Sequence, residues 1–161
     1  MAKRTTVLVA GGGVAALEAV LALRALARDH ATVELLAPAD DFVERPSSVR
    51  SPFSGEPAPR VPLASLQELG VRRHRGALAA VDVEAHQVTT TDGGTLSYDR
   101  LVVAPGARPV DGVPGATVFR GPISAGAVEG ARRAAGERAL FVLPADAGWP
   151  LPIYELALLA A

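Results

Sequence analysis

The stretch Thr5-Thr6-Val7-Leu8-Val9-Ala10-Gly11-Gly12-Gly13-Val14-Ala15-Ala16-Leu17-Glu18-Ala19 decides the fold. Residues 6 to 10 are apolar or β-branched and end at glycine, which predicts a strand buried on both faces of a parallel sheet. The segment from Val14 to Arg28 is rich in Ala and Leu, and predicts a helix that packs against this sheet. A second strand is predicted over Thr32 to Leu36, which completes one βαβ unit.

The glycines between the first strand and the helix have a spacing with a chemical meaning. Gly11, Gly13 and Ala16 fit glycine, any residue, glycine, any two residues, glycine or alanine. In a dinucleotide-binding turn the first glycine permits the tight turn, the second lets phosphate approach the backbone, and the small third residue lets helix and strand pack closely. A glycine turn that only begins a helix is the structural alternative, and the βαβ order around it favours dinucleotide binding.

An acidic residue that binds a ribose hydroxyl is expected at the tip of the second strand. That position falls near Ala37, and the nearest carboxylates are Glu34 within the strand and Asp40 and Asp41 beyond it. Asp40 or Asp41 could substitute, although each is equally well explained as a solvated loop residue. The ribose contact is therefore left open.

Composition excludes several classes of function. The 16 basic and 17 acidic side chains nearly cancel, so neither nucleic acid nor an anionic membrane is expected as a partner. The chain has no cysteine, which excludes disulfides, thiolate metal sites and dithiol redox centres from the residues present. His30, His74 and His86 follow no metal-ligand spacing, and no metal is expected. With neither a signal peptide nor a transmembrane segment, we expect a cytoplasmic protein.

The middle of the chain alternates irregular and regular segments. Six prolines between Ala37 and Pro62 predict an excursion without regular structure, and a short helix is predicted over Leu63 to Leu69. Further predictions are a strand over Val71 to His74, with Arg72 to Arg75 as its solvated end, and an antiparallel meander of three runs, 77–82, 87–91 and 95–97. Asp92-Gly93-Gly94 is its hairpin turn, and Tyr98 to Gly106 returns as a parallel strand.

The last third of the chain predicts the beginning of another unit. Prolines and glycines over 108–122 indicate a linker, Ser124 can cap a helix through Ala135, and Arg138 to Leu143 predicts a strand. An apolar helix is predicted over Leu151 to Ala161. A strand followed by a helix that simply stops predicts half of a unit, so we expect the chain to be part of a larger protein.

Three segments together resemble one known family. They are residues 7–19 of the opening stretch, then Phe42-Val43-Glu44-Arg45-Pro46, then Tyr98-Asp99-Arg100-Leu101-Val102-Val103-Ala104-Pro105-Gly106-Ala107-Arg108-Pro109. In order and spacing they resemble the FAD-dependent pyridine nucleotide-disulfide oxidoreductase superfamily, and within it the branch of sulfide:quinone oxidoreductases and type II NADH dehydrogenases. The implied fold class is α/β, a Rossmann-like doubly wound parallel sheet with an inserted antiparallel β-meander, plus the start of a second βαβ domain.

The resemblance also implies where FAD binds. The glycine loop would hold the pyrophosphate, the first meander strand would lie by the adenine, and the returning strand would reach back to the cofactor. The family usually has Thr where Pro105 stands, so this chain lacks one hydroxyl. The cofactor-binding residues expected on these grounds are Gly11, Gly13, Val14, Ala15, Ala16, Arg45 on the flavin side, Ala77, Leu78, Ala104 and Gly106. No catalytic acid or base is identified.

The implied NAD(P) site is weak. Residues 144–152 read Pro144-Ala145-Asp146-Ala147-Gly148-Trp149-Pro150-Leu151-Pro152 where a second glycine fingerprint is expected, and prolines offer no N–H to a phosphate. Trp149 is either a packing residue or a ring that stacks on a flavin or quinone. Glu155 is either a charge favoured at a helix terminus or part of that site.

The predicted domains are an incomplete FAD-binding domain over 1–109, a linker over 110–123 and the start of a truncated NAD(P)-binding-like domain over 124–161. The implied activity is electron transfer from a small-molecule donor through FAD to an acceptor such as a quinone. The alternatives are a non-catalytic nucleotide-binding or assembly module that is completed by a partner chain or a second copy, and a Rossmann protein that binds only NAD.

Overall fold

The structure is a computed structural model that describes residues 4–107, 113–119, 140–143 and 149–160. Its regular elements run in chain order. They are β1 (Thr5–Ala10), α1 (Val14–Ala27), a 3₁₀ turn (Arg28–His30), β2 (Ala31–Ala37), β3 (Asp41–Val43), a 3₁₀ turn (Pro46–Val49), α2 (Ser51–Ser54), β4 (Arg60–Pro62), a 3₁₀ helix (Leu63–Leu69), β5 (Arg72–Arg75), β6 (Leu78–Asp82), β7 (Gln87–Thr90), β8 (Thr95–Ser97), β9 (Arg100–Val103) and α3 (Leu151–Ala160).

A parallel sheet of four strands, in the order β5-β2-β1-β9, forms the centre of the first compact unit, which comprises residues 1–42 and 60–107. The βαβ unit is confirmed, because β1 and β2 pair in parallel from Thr5 with Ala31 to Ala10 with Leu36. The strand order reverses at β1, since the chain moves outward through β2 and β5 and then returns to the other side as β9. The fold is α/β and Rossmann-like, as predicted.

Alternating side chains of the sheet build two hydrophobic clusters. Val9 and Leu35 point to the face covered by α1 and the 3₁₀ helix, where Val20 and Leu63 also lie buried. Leu8, Ala10 and Leu36 point to the opposite face, where Val88 of β7 packs against them. Because both faces are covered, β1 and β2 are apolar along most of their length, as the sequence pattern predicts for a buried parallel strand.

The inserted antiparallel meander is confirmed as a three-stranded sheet, β6-β7-β8. Its turn at Asp92-Gly93-Gly94 closes with the Thr90 N–H donating to Gly94 O at 2.9 Å, and Gly93 has a φ of +86°. A positive φ is inexpensive for glycine, which explains why this tripeptide marks the turn.

The prediction that residues 37–62 lack regular structure is wrong. Short strands β3 and β4 pair with each other, and the Leu63 N–H donates to Asp40 O at 2.9 Å. The prolines do not prevent this, because Pro46 lies in the first turn of its 3₁₀ segment, where a missing N–H breaks no internal bond.

A second compact unit comprises residues 43–59 and 108–161. In it α3 forms over Leu151–Ala160, which confirms the last predicted helix, and Val49 and Leu156 are buried. The strand predicted over residues 138–143 is wrong at Leu140–Leu143, which have no regular structure because no described strand pairs with them. The predicted helix over 124–135 lies outside the described residues, and the domain boundaries at 109 and 123 stay a prediction.

Candidate functional site

The glycine turn lies at the carboxyl edge of the sheet, where the strand order reverses. The Gly11 N–H donates to Leu36 O of β2 at 2.9 Å, and the Ala104 N–H donates to Ala10 O of β1 at 2.8 Å. The turn is thus tied to the ends of the strands on both sides of β1. Open parallel sheets bind ligands in the crevice at such a switch point.

Gly11 is the residue of the turn that tolerates no side chain. Its φ is +146°, and a Cβ built on it would lie 2.0 Å from Ala104 O. The turn therefore closes directly beneath the end of β9. The tight-turn role predicted for the first glycine agrees with this geometry.

Close packing continues at the next two small residues. A Cβ on Gly12 would lie 3.2 Å from the Ala37 Cβ and 3.6 Å from Leu63 Cδ1, and Ala16 is fully buried in the α1-facing cluster. Larger residues at these positions would push α1 away from the sheet.

Gly13, Val14 and Ala15, in contrast, are exposed at the start of α1. A Cβ on Gly13 would meet nothing within 4 Å. Gly13 is the N-cap residue with no side-chain cap, and the first turn has no acidic residue. The first helical bond runs from the Leu17 N–H to Gly13 O at 3.1 Å, so the preceding N–H groups of the helix find no acceptor within the described part of the chain.

This helix terminus has the properties of an anion site. Free N–H donors and the positive end of the helix dipole favour a phosphate, and the bare backbone at Gly13 leaves space for it. The residues present thus fit the pyrophosphate of a dinucleotide.

The segment before the meander lies next to the end of β2. The Gly76 N–H donates to Ala37 O at 3.2 Å, and Ala77 O accepts from the Thr91 N–H at 2.9 Å. Leu78 is partly buried against the meander-facing cluster. Ala77 therefore precedes β6, which begins at Leu78 directly after the chain has passed the tip of β2.

The returning strand is held in register by a residue that sequence reasoning missed. The Asp99 N–H donates to Thr6 O at 2.9 Å, and its Oδ2 accepts from the Thr6 N–H at 2.7 Å. This exchange places β9 so that Ala104 O reaches Gly11. Gly106 follows with a φ of +77° and open space around it. An Asp at the beginning of a predicted strand was the available signal.

Charged side chains of β2, of the loop after it and of β5 contact one another. The Glu34 carboxylate lies 3.1 Å from Arg72 Nη1 and 2.6 Å from His74 Nε2, and its side chain is only 10% exposed. Both carboxylate oxygens of Glu34 are therefore occupied by side chains of β5. Glu34 does not take the place of the acidic residue expected at the tip of β2.

Asp40 is held by the other two arginines of β5. Its Oδ1 accepts from Arg73 Nη2 at 2.7 Å, its Oδ2 lies 3.4 Å from Arg75 Nη2, and the side chain is 58% exposed. The hydrogen bond from Arg73, with the charge of Arg75, lowers the pKa of this carboxyl, so it is an ionised acceptor at neutral pH.

The prediction that Arg72 to Arg75 form a solvated strand end is wrong for its two central residues. The side chains of Arg73 and His74 are only 16% and 24% exposed. Arg73 also donates to Ala39 O at 2.8 Å, and its buried Nε has no partner among the described residues. The reason is that Arg73 contacts the Asp40 carboxylate and His74 contacts the Glu34 carboxylate, and these contacts keep both side chains partly buried.

Three residues singled out in the sequence lie in the second unit. Arg45 is exposed, and its carbonyl accepts from Ser48 Oγ at 2.5 Å. Trp149 is 55% exposed. Glu155 lies 4.0 Å from Arg50, so its carboxylate takes part in an ion pair. The predicted role of Arg45 on the flavin side stays a prediction.

Among the described residues, no cluster of three or more His, Asp or Glu side chains is arranged to hold a metal ion. None of the helices described has the length and hydrophobicity needed to cross a bilayer.

Comparison with known proteins gives the same fold. The sulfide:quinone oxidoreductase of Aquifex aeolicus matches with a TM-score of 0.77 and 22% identity over 96% of this chain and 38% of its own. A ferredoxin reductase of Rhodopseudomonas palustris gives 0.67 and 21% over 98% and 40%. NADH:rubredoxin oxidoreductase of Clostridium acetobutylicum gives 0.65 and 19% over 98% and 42%. The chain thus spans about two fifths of the length of these structures.

No protein of curated function matches the sequence significantly. The sequence profile of the pyridine nucleotide-disulphide oxidoreductases matches residues 5–143. Members of this family are FAD-binding oxidoreductases. The chain, which has both the sequence pattern and the glycine turn at the switch point of the sheet, belongs to the pyridine nucleotide-disulphide oxidoreductase family.

Proposed function

We propose that this chain is the FAD-binding part of an oxidoreductase, and that it holds the FAD pyrophosphate at the start of α1. The observation that carries the proposal is the pairing of Gly11 and Gly13. Gly11 has no room for a side chain, whereas Gly13 is open to solvent beside free helix N–H groups. A turn needed only for packing would not require the second, exposed glycine to remain bare.

The roles of the other residues follow from their positions around this turn. Val14 and Ala15 supply backbone N–H groups, and Ala16 lets α1 approach the sheet. Ala104 and Gly106 would border the cofactor at the switch point, and Ala77 and Leu78 would border the adenine. Arg45 on the flavin side is proposed from family resemblance alone.

The electron donor and acceptor are proposed from family likeness. The segments Phe42 to Pro46 and Tyr98 to Pro109 resemble the branch of sulfide:quinone oxidoreductases and type II NADH dehydrogenases, and the fold is similar to that of the Aquifex aeolicus enzyme. We therefore infer that the whole protein passes electrons from NAD(P)H or sulfide to an acceptor such as a quinone. FAD, when bound, supplies the redox chemistry, while this chain's residues bind and orient the cofactor.

Binding of FAD to the purified chain tests the proposal. We expect a yellow protein whose flavin absorbance survives desalting. FAD at about 100 times its Kd should stabilise the fold by about 2.7 kcal/mol, which raises the Tm by roughly 5–10 °C in a domain of this size.

NAD at equal concentration is the control ligand. Stabilisation by NAD without any effect of FAD would replace the proposal with a Rossmann protein that binds only NAD. A colourless protein that neither nucleotide stabilises would contradict nucleotide binding altogether.

A further inference from the structure

A cavity of about 340 Å³ lies between β5 and the hairpin that joins β7 to β8. Its walls are residues 73–75 of β5 and residues 90, 92 and 94–96 of the hairpin, and we name it the hairpin cavity. None of these residues belongs to the proposed FAD site. The volume lies within the range of small-molecule sites, which is about 300–1,000 Å³.

The hairpin wall uses its main acceptor internally. The Thr90 hydroxyl donates to the Asp92 carboxylate and lies 3.1 Å from Gly94 O. The bond from Thr90, together with the backbone N–H groups of Asp92 and Gly94, lowers the pKa of the Asp92 carboxyl. The carboxylate is therefore ionised at neutral pH, and its own turn supplies its hydrogen bonds.

The β5 wall, in contrast, has donors that remain available. Asp40, which is not a lining residue, contacts the Nη2 atoms of Arg73 and Arg75. A guanidinium group has more N–H donors than these contacts use. The buried Nε of Arg73 has no acceptor among the described residues. Buried donors normally have a partner, so an unpartnered one on a residue that lines a cavity indicates a ligand that accepts hydrogen bonds.

The charges on the walls favour an anion. Arg73 and Arg75 line the cavity against one carboxylate, that of Asp92, and His74 adds a positive charge when it is protonated. Thr95 is exposed on the hairpin wall and has a hydroxyl that can donate a further hydrogen bond. A ligand with several acceptor oxygens and a negative charge matches this set of donors.

We propose that the hairpin cavity binds a small oxyanion, a phosphate ester or a dicarboxylate, through Arg73, Arg75 and Thr95. The planar donor fork of arginine matches the geometry of phosphate and carboxylate oxygens. The site goes beyond the proposed function, because it uses none of the residues assigned to FAD and does not require FAD to be bound.

Calorimetric titrations of the chain with inorganic phosphate, glycerol phosphate and succinate test the proposal, at an ionic strength held constant with chloride. The start of α1 is itself proposed to bind phosphate, so the titrations are repeated with Gly13→Asp, whose carboxylate blocks that terminus. Both proteins should bind phosphate. Tighter binding of glycerol phosphate than of succinate would identify the ligand as a phosphate ester, and the reverse order would identify it as a dicarboxylate.

Variants of the arginines locate the site. Arg75→Gln should weaken binding of phosphate about tenfold, because it removes a charged donor. Arg60→Gln is the matched control, since Arg60 and Arg75 are both exposed and lie 3.7 Å and 3.4 Å from an aspartate. The control should keep the native affinity. Arg73→Lys keeps the charge without the Nε donor and should also weaken binding about tenfold, whereas Thr95→Val should weaken it about threefold.

A spectroscopic readout shows where the anion binds without any change of sequence. Phosphate should shift the NMR resonance of the Arg73 Nε–H and the amide resonances of Gly94 and Thr95. Unchanged resonances at all three positions in a chain that binds phosphate would overturn the proposal.

Three further results would overturn it while leaving the proposed function intact. The first is that none of the probes binds the native chain although FAD does. The second is an equal loss of affinity in Arg75→Gln and Arg60→Gln. The third is loss of phosphate binding in Gly13→Asp, which would place the anion at α1. A chain that binds phosphate in the hairpin cavity but does not bind FAD would overturn the proposed function and not this inference.

Discussion

Replacement of Gly13 by Asp should separate the stability of this fold from its ability to bind FAD. Gly13 has extended backbone angles, φ −95° and ψ −173°, and a Cβ there meets no atom within 4 Å, so a side chain fits without strain. Asp is among the preferred N-cap residues and its charge is favourable at a helix N-terminus. The substitution should therefore stabilise the free protein by about 0.5–1 kcal/mol and raise its Tm by roughly 1–4 °C.

The same carboxylate should greatly weaken FAD binding. It would occupy the opening beside the free N–H groups of α1 and capture one or two of them itself. It would also repel the pyrophosphate, which carries two negative charges. At about 4 Å one pair of unit charges costs about 1 kcal/mol in water and about 4 kcal/mol near a protein surface. Two such pairs predict a loss of at least about 2 kcal/mol, or roughly thirtyfold in Kd.

The assay combines thermal melts with titrations of FAD at low and moderate salt. Gly13→Ser provides a cap without charge and should lose less affinity than Gly13→Asp. Val83→Asp adds the same charge at a site that is 72% exposed on the meander, and should leave FAD binding unchanged. A folded Gly13→Asp protein that binds FAD as tightly as the native chain would refute a phosphate site at the start of α1.

Three further substitutions test the scaffold, and urea unfolding measures each. Gly11→Ala should cost at least about 2 kcal/mol, because its Cβ collides with Ala104 O at a positive φ; native stability would contradict this geometry. Leu8→Ala should cost about 2–5 kcal/mol because the side chain is fully buried, so a loss under about 1 kcal/mol would count against the described core. Asp99→Ala should cost about 1–3 kcal/mol through the lost Thr6 contact, and an unchanged midpoint would argue against it.

The sequence predicts most of the first unit because its signals are local. A β-branched run, a glycine turn and an Ala-rich segment lie next to one another in β1 and α1. The meander can be predicted equally well, because its turn signal includes Gly93, which adopts the positive φ that the turn requires. Observed element ends differ from the predicted ones by one or two residues in most cases, as for α1, which ends at Ala27 rather than at Arg28.

What the sequence does not predict depends on distant partners. The strands β3 and β4 form because segments some fifteen residues apart meet, as in the bond from the Glu44 N–H to Pro59 O at 3.0 Å. The pairing of Glu34 with Arg72 requires the register between β2 and β5. A single sequence without that register does not show which way the side chains of Arg72 to Arg75 point, so the low exposure of Arg73 could not be anticipated.

Pro105, where the family resemblance leads us to expect Thr, offers neither a hydroxyl nor an N–H to a ligand. On the β9 side, the described contacts of Ala104 are packing against Gly11 and a backbone bond to β1. This strand therefore shapes the turn and contributes few donors to a ligand. In the proposed site the donors for the pyrophosphate come from the start of α1, which is why a charge at Gly13 is expected to affect binding so strongly.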